Sequence, residues 1–307
     1  MIIIKIFSDY CESEDIINNY ILTQHLLNDP NYNNKYTLTC NDDYTHAIIL
    51  NKAMPNLKNE IPKENVIGLA HEPPEFLGLV YKNNEIFKDD NYLVDMNFIN
   101  FVKNKVGKYY IGEKYNLPDE FIEGFGYLGH CNVSTIYKQP IIKNKIMSLM
   151  ISDKLWTFGH NYRHKIAQII INNNLPIDIY GRGCSFYETN NERLKGSFNN
   201  QEHIENYLFT IAIENTSHPH YFSEKIINPL LYKTNVIYYG CKNICDYFPK
   251  NETTMSDGYG IYLLNGDINH DMNIIINILN NWQNHYTKIN PNKIFNVVNI
   301  KNIFIQF

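Results

Sequence analysis

The chain has 307 residues, 44% of them hydrophobic and 19% charged, which is enough for two domains of about 150 residues, each with its own core. A formal net charge of −5 excludes a general nucleic-acid binder, which carries a basic surplus or a Lys/Arg-rich stripe, so any phosphate site must be local. The six cysteines are scattered, and Cys241 and Cys245 have no second pair to complete a zinc site, so free thiols are expected.

In chain order, the apolar run Met1 to Phe7 contains Lys5 and reads as a first strand, not as a signal peptide or transmembrane segment. Glu14 to Leu27 reads as an amphipathic helix, and Lys35 to Cys40 and His46 to Leu50 as short strands. Val66 to Ala70 is another strand, stopped by His71-Glu72-Pro73-Pro74-Glu75, with a helix-like segment near Phe76 to Tyr81. Asn91 to Ile111 shows no decisive period, and Leu117 to Asn132 reads as irregular. Gln139-Pro140 marks a boundary, because a fresh strand-helix alternation begins after it; the expected domains are 1–140 and 141–307. The second comprises a strand over Ile146 to Ile151, a helix over Arg163 to Asn172, and a strand over Pro176 to Tyr180 that ends in Gly181-Arg182-Gly183. Lys195 falls in a polar loop before a short helix near Glu202 to Tyr207. Gly260 to Leu264 is a last strand and Met272 to His285 a long helix. Strands alternating with helices imply parallel, doubly wound sheets in an α/β protein.

The stretch between Phe209 and Gly240 is the most informative. Phe209 to Ile213 reads as a buried strand, Glu214 to His220 as a polar loop, Ser223 as a helix start, and Asn235 to Tyr239 as a second strand. In such a crossover the ligand sits at the carboxyl end of the strand. Lys225 in the first turn opposes the helix dipole, which is unfavourable unless an anion is present, and a helix start is itself an anion site.

Glu214-Asn215, a polar loop, then Tyr221-x-Ser223-Glu224-Lys225 resembles the donor-binding signature of the α1,3/α1,4-fucosyltransferases, glycosyltransferase family 10. Two positions depart from that pattern: His220 stands where the family has an acidic residue, and Asn235-Val236-Ile237 where it has Val-Pro-Val. Pro229 also falls inside the helix. The resemblance implies a GT-B architecture, two Rossmann-like domains facing a cleft, with the nucleotide sugar on the second and the acceptor on the first. Golgi members of the family carry an N-terminal anchor and stem, so the sequence reads as a soluble, cytoplasmic form or as a trimmed piece of a longer chain.

The resemblance also implies roles. Lys225 and the helix start would neutralise the β-phosphate, Glu224 would accept hydrogen bonds from ribose or sugar hydroxyls, and Glu214 would do the same or orient the loop. Asn215 and Ser223 belong to the signature, and Tyr221 would pack on or hydrogen-bond the donor. Arg163, opening a helix after Gly159-His160-Asn161, resembles the family's Ser-x-x-Arg element and can fork onto a diphosphate. Gly181 and Arg182 match a loop that shapes the nucleotide pocket, where Arg182 either adds phosphate charge or faces solvent; Lys195 reads as structural. Glu72, at a strand end before two prolines, stands where the family has Glu-Ser-Pro and would be the general base, with Glu75 as the alternative.

His160 and His164 stand four apart, but Arg163 and Lys165 beside them would repel a cation, and the chain has no Asp-x-Asp. No metal and no cofactor is expected. The function so implied is an inverting α1,3-fucosyltransferase moving fucose from GDP-fucose to a glycan hydroxyl. A GT-B transferase with another nucleotide sugar, and a silent nucleotide- or sugar-binding protein, are the alternatives.

Overall fold

The computed structural model describes residues 1–18, 35–79, 94–126, 141–187, 190–249, 259–298 and 301–307, Lys301 by its backbone only. It divides into two compact units: Met1–Thr135 with His218–Ser223 and Val298–Phe307, and Ile136–Ser217 with Glu224–Val297. The division is therefore not a single cut near residue 140, because two later segments belong to the first unit.

The first unit is built on six parallel strands, β1 (Ile2–Ser8), β2 (Tyr36–Leu38), β3 (His46–Leu50), β4 (Val66–Leu69), β5 (Lys108–Ile111) and β6 (Phe121–Glu123). Their order is β2-β1-β3-β4-β5-β6. Every residue of β4 is buried, with no alternation, as expected for a central parallel strand covered on both faces. Within that strand Gly68 cannot be replaced, because a Cβ there would lie 1.9 Å from the ring of Tyr109. Tyr109 is fully buried and donates its hydroxyl proton to the Asn51 carbonyl at 2.7 Å, fixing the loop that follows β3. Helices α1 (Ser13–Ile16) and α2 (Met96–Lys105) lie among its described residues, and Asp95 caps α2 by accepting from the Phe98 amide at 3.0 Å.

The second unit has strands β7 (Lys145–Met150), β8 (Ile177–Tyr180), β9 (Leu194–Gly196), β10 (Tyr207–Ile213), β11 (Asn235–Tyr239) and β12 (Ile261–Leu263). They too are all parallel, in the order β12-β11-β10-β7-β8-β9. The chain runs outward from β7 through β8 to β9, returns to β10, and runs outward the other way. The order thus reverses between β7 and β10, and a ligand crevice belongs at the carboxyl ends of the two strands that flank such a reversal. Helices α3 (Phe158–Asn172), α4 (Glu202–Glu205) and α5 (Glu224–Leu231) cross between strands, and α6 (Ile268–Asn280) follows β12. Ile166, Ile170, Ile275 and Ile278 pack with Leu149, Phe209 and Ile211 into one core.

Several sequence expectations are corrected. Residues 74–78 form turns and not a helix, because the Pro73 carbonyl accepts from Phe76 and Leu77 and the Pro74 carbonyl from Leu79. α3 starts at Phe158, five residues before Arg163, because Thr157 caps it. Lys195 lies in β9, Phe121–Glu123 is a strand, and α6 ends at Asn280 before a separate turn of helix over Trp282–His285. The helix expected up to Leu27 lies outside the described residues beyond 18, as do Tyr81, the Gln139-Pro140 boundary and Cys131. Among the described residues no helix is long and apolar enough to cross a membrane.

Candidate active site

In the second unit the site begins where α3 meets the end of β10. A Cβ on Gly159 would lie 1.8 Å from the Glu214 carbonyl oxygen and 2.8 Å from that of Asn215, so only glycine allows this approach. The Gly159 amide donates to the Asn215 carbonyl at 3.0 Å. One turn along, Arg163 donates through Nε to the Gly159 carbonyl at 3.1 Å and through Nη2 to Asn215 Oδ1 at 2.6 Å. Its guanidinium is buried, at 2% exposure for the residue, and held in one orientation by both bonds.

Lys225, in the first turn of α5, lies 3.5 Å from Glu214 Oε2 and 3.0 Å from Glu224 Oε1. Burial alone would push its pKa down, but Glu224 and Glu214 outweigh that effect and hold the ammonium above its ordinary value. In the sequence alone a cation at this helix start marks an anionic ligand, yet the protein itself supplies two anions. Glu214 is fully buried. Its walls are tight: a Cβ on Gly240 would lie 2.4 Å from Glu214 Cγ. Nearby, burial first and then the charges of Arg163, Lys154 and Lys225 push the His160 pKa down to about 4, so this imidazole is neutral. His160 Nδ1 pairs with Thr157 Oγ1 at 2.7 Å, and His164 pairs with Tyr187 and the Ser152 carbonyl, so the two histidines serve the fold. Among the described residues no group of three His, Cys, Asp or Glu side chains is placed to hold a metal ion.

Arg163, Glu224 and Lys225 line one cavity of about 210 Å³, together with Phe198, Gln201, His203 and Asn228. Gly181 and Arg182 are not among its lining residues. Gly181 adopts φ +110°, and a Cβ there would lie 1.9 Å from the Ile151 carbonyl oxygen, so it serves the turn after β8. The Arg182 side chain is 69% exposed and pairs with Asp153 at 3.1 Å, the solvent-facing alternative. Lys195 lies 3.6 Å from Asp178, as a structural lysine would.

Tyr221 and Ser223 are buried and belong, with the rest of residues 218–223, to the first unit. In that unit Glu72 is half-buried in the bend after β4, where the His71 amide donates to Asn51 Oδ1 at 2.8 Å. Three residues on, Glu75 Oε1 lies 3.0 Å from His218 Nε2 and accepts from the Tyr115 hydroxyl at 3.3 Å. His218 Nδ1 lies 2.9 Å from Glu113 Oε2. Burial opposes charge on His218, but Glu75 and Glu113 outweigh it and raise its pKa; burial would raise that of Glu75, but His218 outweighs it and lowers it. His218 and Glu113 are not marked by any pattern in the sequence, because their 105-residue separation leaves no local signal.

The profile described as "Glycosyltransferase family 10 (fucosyltransferase) C-term" matches residues 142–253. No curated protein matches the chain in sequence. Among solved structures, one described as an α1,3-fucosyltransferase with GDP is 13% identical, with 100% of this chain and 88% of that chain covered and a TM-score of 0.52. A mutant of S. aureus TarM, solved in complex with fondaparinux, α-GlcNAc-glycerol and UDP, is 12% identical, with 85% of this chain and 54% of that chain covered and a TM-score of 0.51. At such identity these likenesses speak to fold alone, and the two parallel six-stranded sheets are those of the GT-B class. The family 10 profile's match over residues 142–253 spans the signature from Glu214 to Lys225, so the resemblance read from the sequence holds for that part of the chain.

Proposed function

We propose that the chain is an inverting fucosyltransferase that moves fucose from GDP-fucose to a glycan hydroxyl, with α1,3 linkage as the family suggests. One observation carries this reading: the two cations of the signature region, Arg163 and Lys225, line a single cavity beside the strand-order reversal. In this reading the diphosphate lies against Arg163, Lys225 and the start of α5, where charge-assisted hydrogen bonds favour an anion. Glu224 exchanges part of its pairing with Lys225 for hydroxyls of the donor. Glu72 takes the proton of the acceptor hydroxyl as its oxygen attacks the anomeric carbon. The bond from that carbon to the β-phosphate oxygen breaks, and GDP leaves with the electron pair. A single displacement inverts the centre.

Glu72 is preferred to Glu75 as base because Glu75 is ion-paired to His218 and its pKa lies below the ordinary range. A general base works best with a pKa near the operating pH, and a carboxylate committed to an imidazolium is a weak one.

Leaving-group charge is handled by the cations and the helix end, so activity without added metal belongs to the proposal. The test is donor hydrolysis and transfer over GDP- and UDP-sugars, with calorimetry on GDP and UDP, in chelator. Transfer from GDP-fucose that persists in chelator supports the reading. Preference for a UDP-sugar, GDP binding without transfer, or loss in chelator that manganese restores overturns its respective parts.

A further inference from the structure

In the first unit the chain leaves β3 through Asn51 and leaves β4 through Ala70, His71 and Glu72. The pairing of Leu50 with Leu69 sets Asn51 opposite Ala70. In a regular parallel ladder a residue donates its amide to the residue before its partner and accepts, through its carbonyl, from the residue after it. Asn51 keeps the first bond, its amide donating to the Leu69 carbonyl at 2.9 Å. The second is made differently. Asn51 has φ +50°, in the left-handed region, and its carbonyl accepts from the Tyr109 hydroxyl at 2.7 Å. The His71 amide donates instead to the Asn51 side chain, with Oδ1 at 2.8 Å. Few residues meet both needs: asparagine enters the left-handed region more readily than most, and its short amide carries an acceptor. Non-glycine residues held in that region cluster at functional sites, and Asn51 is held there at 8% exposure.

The ladder is thereby carried one bond further, to the residue immediately before Glu72. On the other side of β4 the Ala70 amide donates to the Tyr110 carbonyl at 2.9 Å. The His71 ring is tied as well, its Nδ1 pairing with the Tyr10 hydroxyl at 3.0 Å. Beyond Glu72, Pro73 has a fixed φ and restricts the backbone of the residue before it. We propose that Asn51 is a positioning residue for the reaction: by holding the His71 amide, its side-chain carbonyl sets where the Glu72 carboxylate stands relative to the acceptor hydroxyl. This rests on the reading of Glu72 as the general base. A base must come within hydrogen-bond reach of the proton it takes, and a misplacement of about 1 Å costs about 10²-fold in rate. Without an acceptor at position 51 the His71 amide loses this partner, and the start of the Glu72 loop loses its tie to β3.

The test is GDP release from GDP-fucose with water as the acceptor, on the full chain as wild type, Asn51→Gly, Asn51→Asp, Glu72→Gln and Asn51→Gly combined with Glu72→Gln, with GDP affinity measured by calorimetry. Glycine tolerates the left-handed backbone but brings no acceptor, whereas aspartate brings one. Asn51→Gly is expected to slow release by about 10–10²-fold while GDP affinity stays within about twofold, and Asn51→Asp to recover most of that loss. In the Glu72→Gln background Asn51→Gly should cost less than about twofold more, because residues that act through one step are not additive. An asparagine that only supports the fold would slow both backgrounds alike. Should Asn51→Gly fail to fold, Tyr109→Phe decides: it removes the bond to the Asn51 carbonyl and should slow release by about 2–10-fold, the worth of one hydrogen bond, in the wild-type background alone. Wild-type turnover in whichever variant folds, an equal loss in both backgrounds, or Asn51→Asp as slow as Asn51→Gly overturns the positioning role and leaves the base reading standing. Glu72→Gln that releases GDP as fast as wild type, or a wild type that releases none, overturns the base reading and the positioning role with it.

Discussion

Glu75 and His218, 143 positions apart in sequence, meet at 3.0 Å in the interior of the first unit, and Glu113 closes on the other ring nitrogen at 2.9 Å. This buried imidazole between two carboxylates anchors the segment that leads into Tyr221, Ser223, Glu224 and Lys225.

Its pH dependence has two signs. The pKa of His218 is raised on folding, so its contribution is fully present below its unfolded value of about 6.5 and is lost as pH rises through the folded value. The pKa of Glu75 is lowered, so its contribution is present above its unfolded value of about 4.3 and is lost as pH falls through the folded value. Thermal unfolding followed against pH should therefore show greatest stability between these limits, and His218→Gln should flatten the alkaline limb. An alkaline limb that is unchanged in His218→Gln would remove this cluster from the account.

Lys225→Met should weaken GDP binding by about 1.5–3 kcal/mol, the usual worth of a charge-assisted hydrogen bond, and slow transfer with it. It should also lower the unfolding temperature, because Glu214 is fully buried and loses a counter-charge 3.5 Å away. Glu214→Gln added to Lys225→Met should restore stability and leave GDP binding weak. Restored binding in that double variant would show that the lysine acts only on Glu214.

Glu72→Gln should leave donor affinity within about twofold of wild type and lower turnover by about 10²–10⁴, the range for a lost general base. Glu75→Gln should lower stability, since it breaks the pair with His218. Steady-state turnover and GDP titrations on both variants separate the roles. Normal turnover by Glu72→Gln alongside a dead but folded Glu75→Gln would transfer the base to Glu75.

Gly159→Ala places a Cβ 1.8 Å from the Glu214 carbonyl oxygen, a backbone atom that cannot turn aside. It should force α3 and the end of β10 apart, loosen the Arg163 to Asn215 bond of 2.6 Å, and reduce both folding stability and GDP affinity. A variant as stable as wild type, with unchanged GDP affinity, would show that this approach is slack.

The α/β class and the strands His46–Leu50 and Asn235–Tyr239 are legible in the sequence, because an apolar run of strand length bounded by polar residues and turns admits few other structures. The signature from Glu214 to Lys225 is legible for a related reason: residues close in sequence around one strand-loop-helix turn keep their spacing wherever the unit is placed. Helix limits are less so, since Thr157 capping α3 and the Pro73 and Pro74 carbonyls turning residues 74–78 decide them through hydrogen bonds that periodicity does not encode. Only tertiary structure decided which charges pair. The sequence marks Lys225 as a cation in need of an anion, but that Glu214 is buried beside it follows from β10, β11 and Gly240 closing around that carboxylate. Likewise His218, Glu75 and Glu113 come from three separate stretches of chain, and the gathering of Gln201, His203 and Asn228 around one cavity depends on how α4 and α5 pack on their sheet. A long-range pair carries no local pattern, because its energy is realised only once the chain between its members has folded.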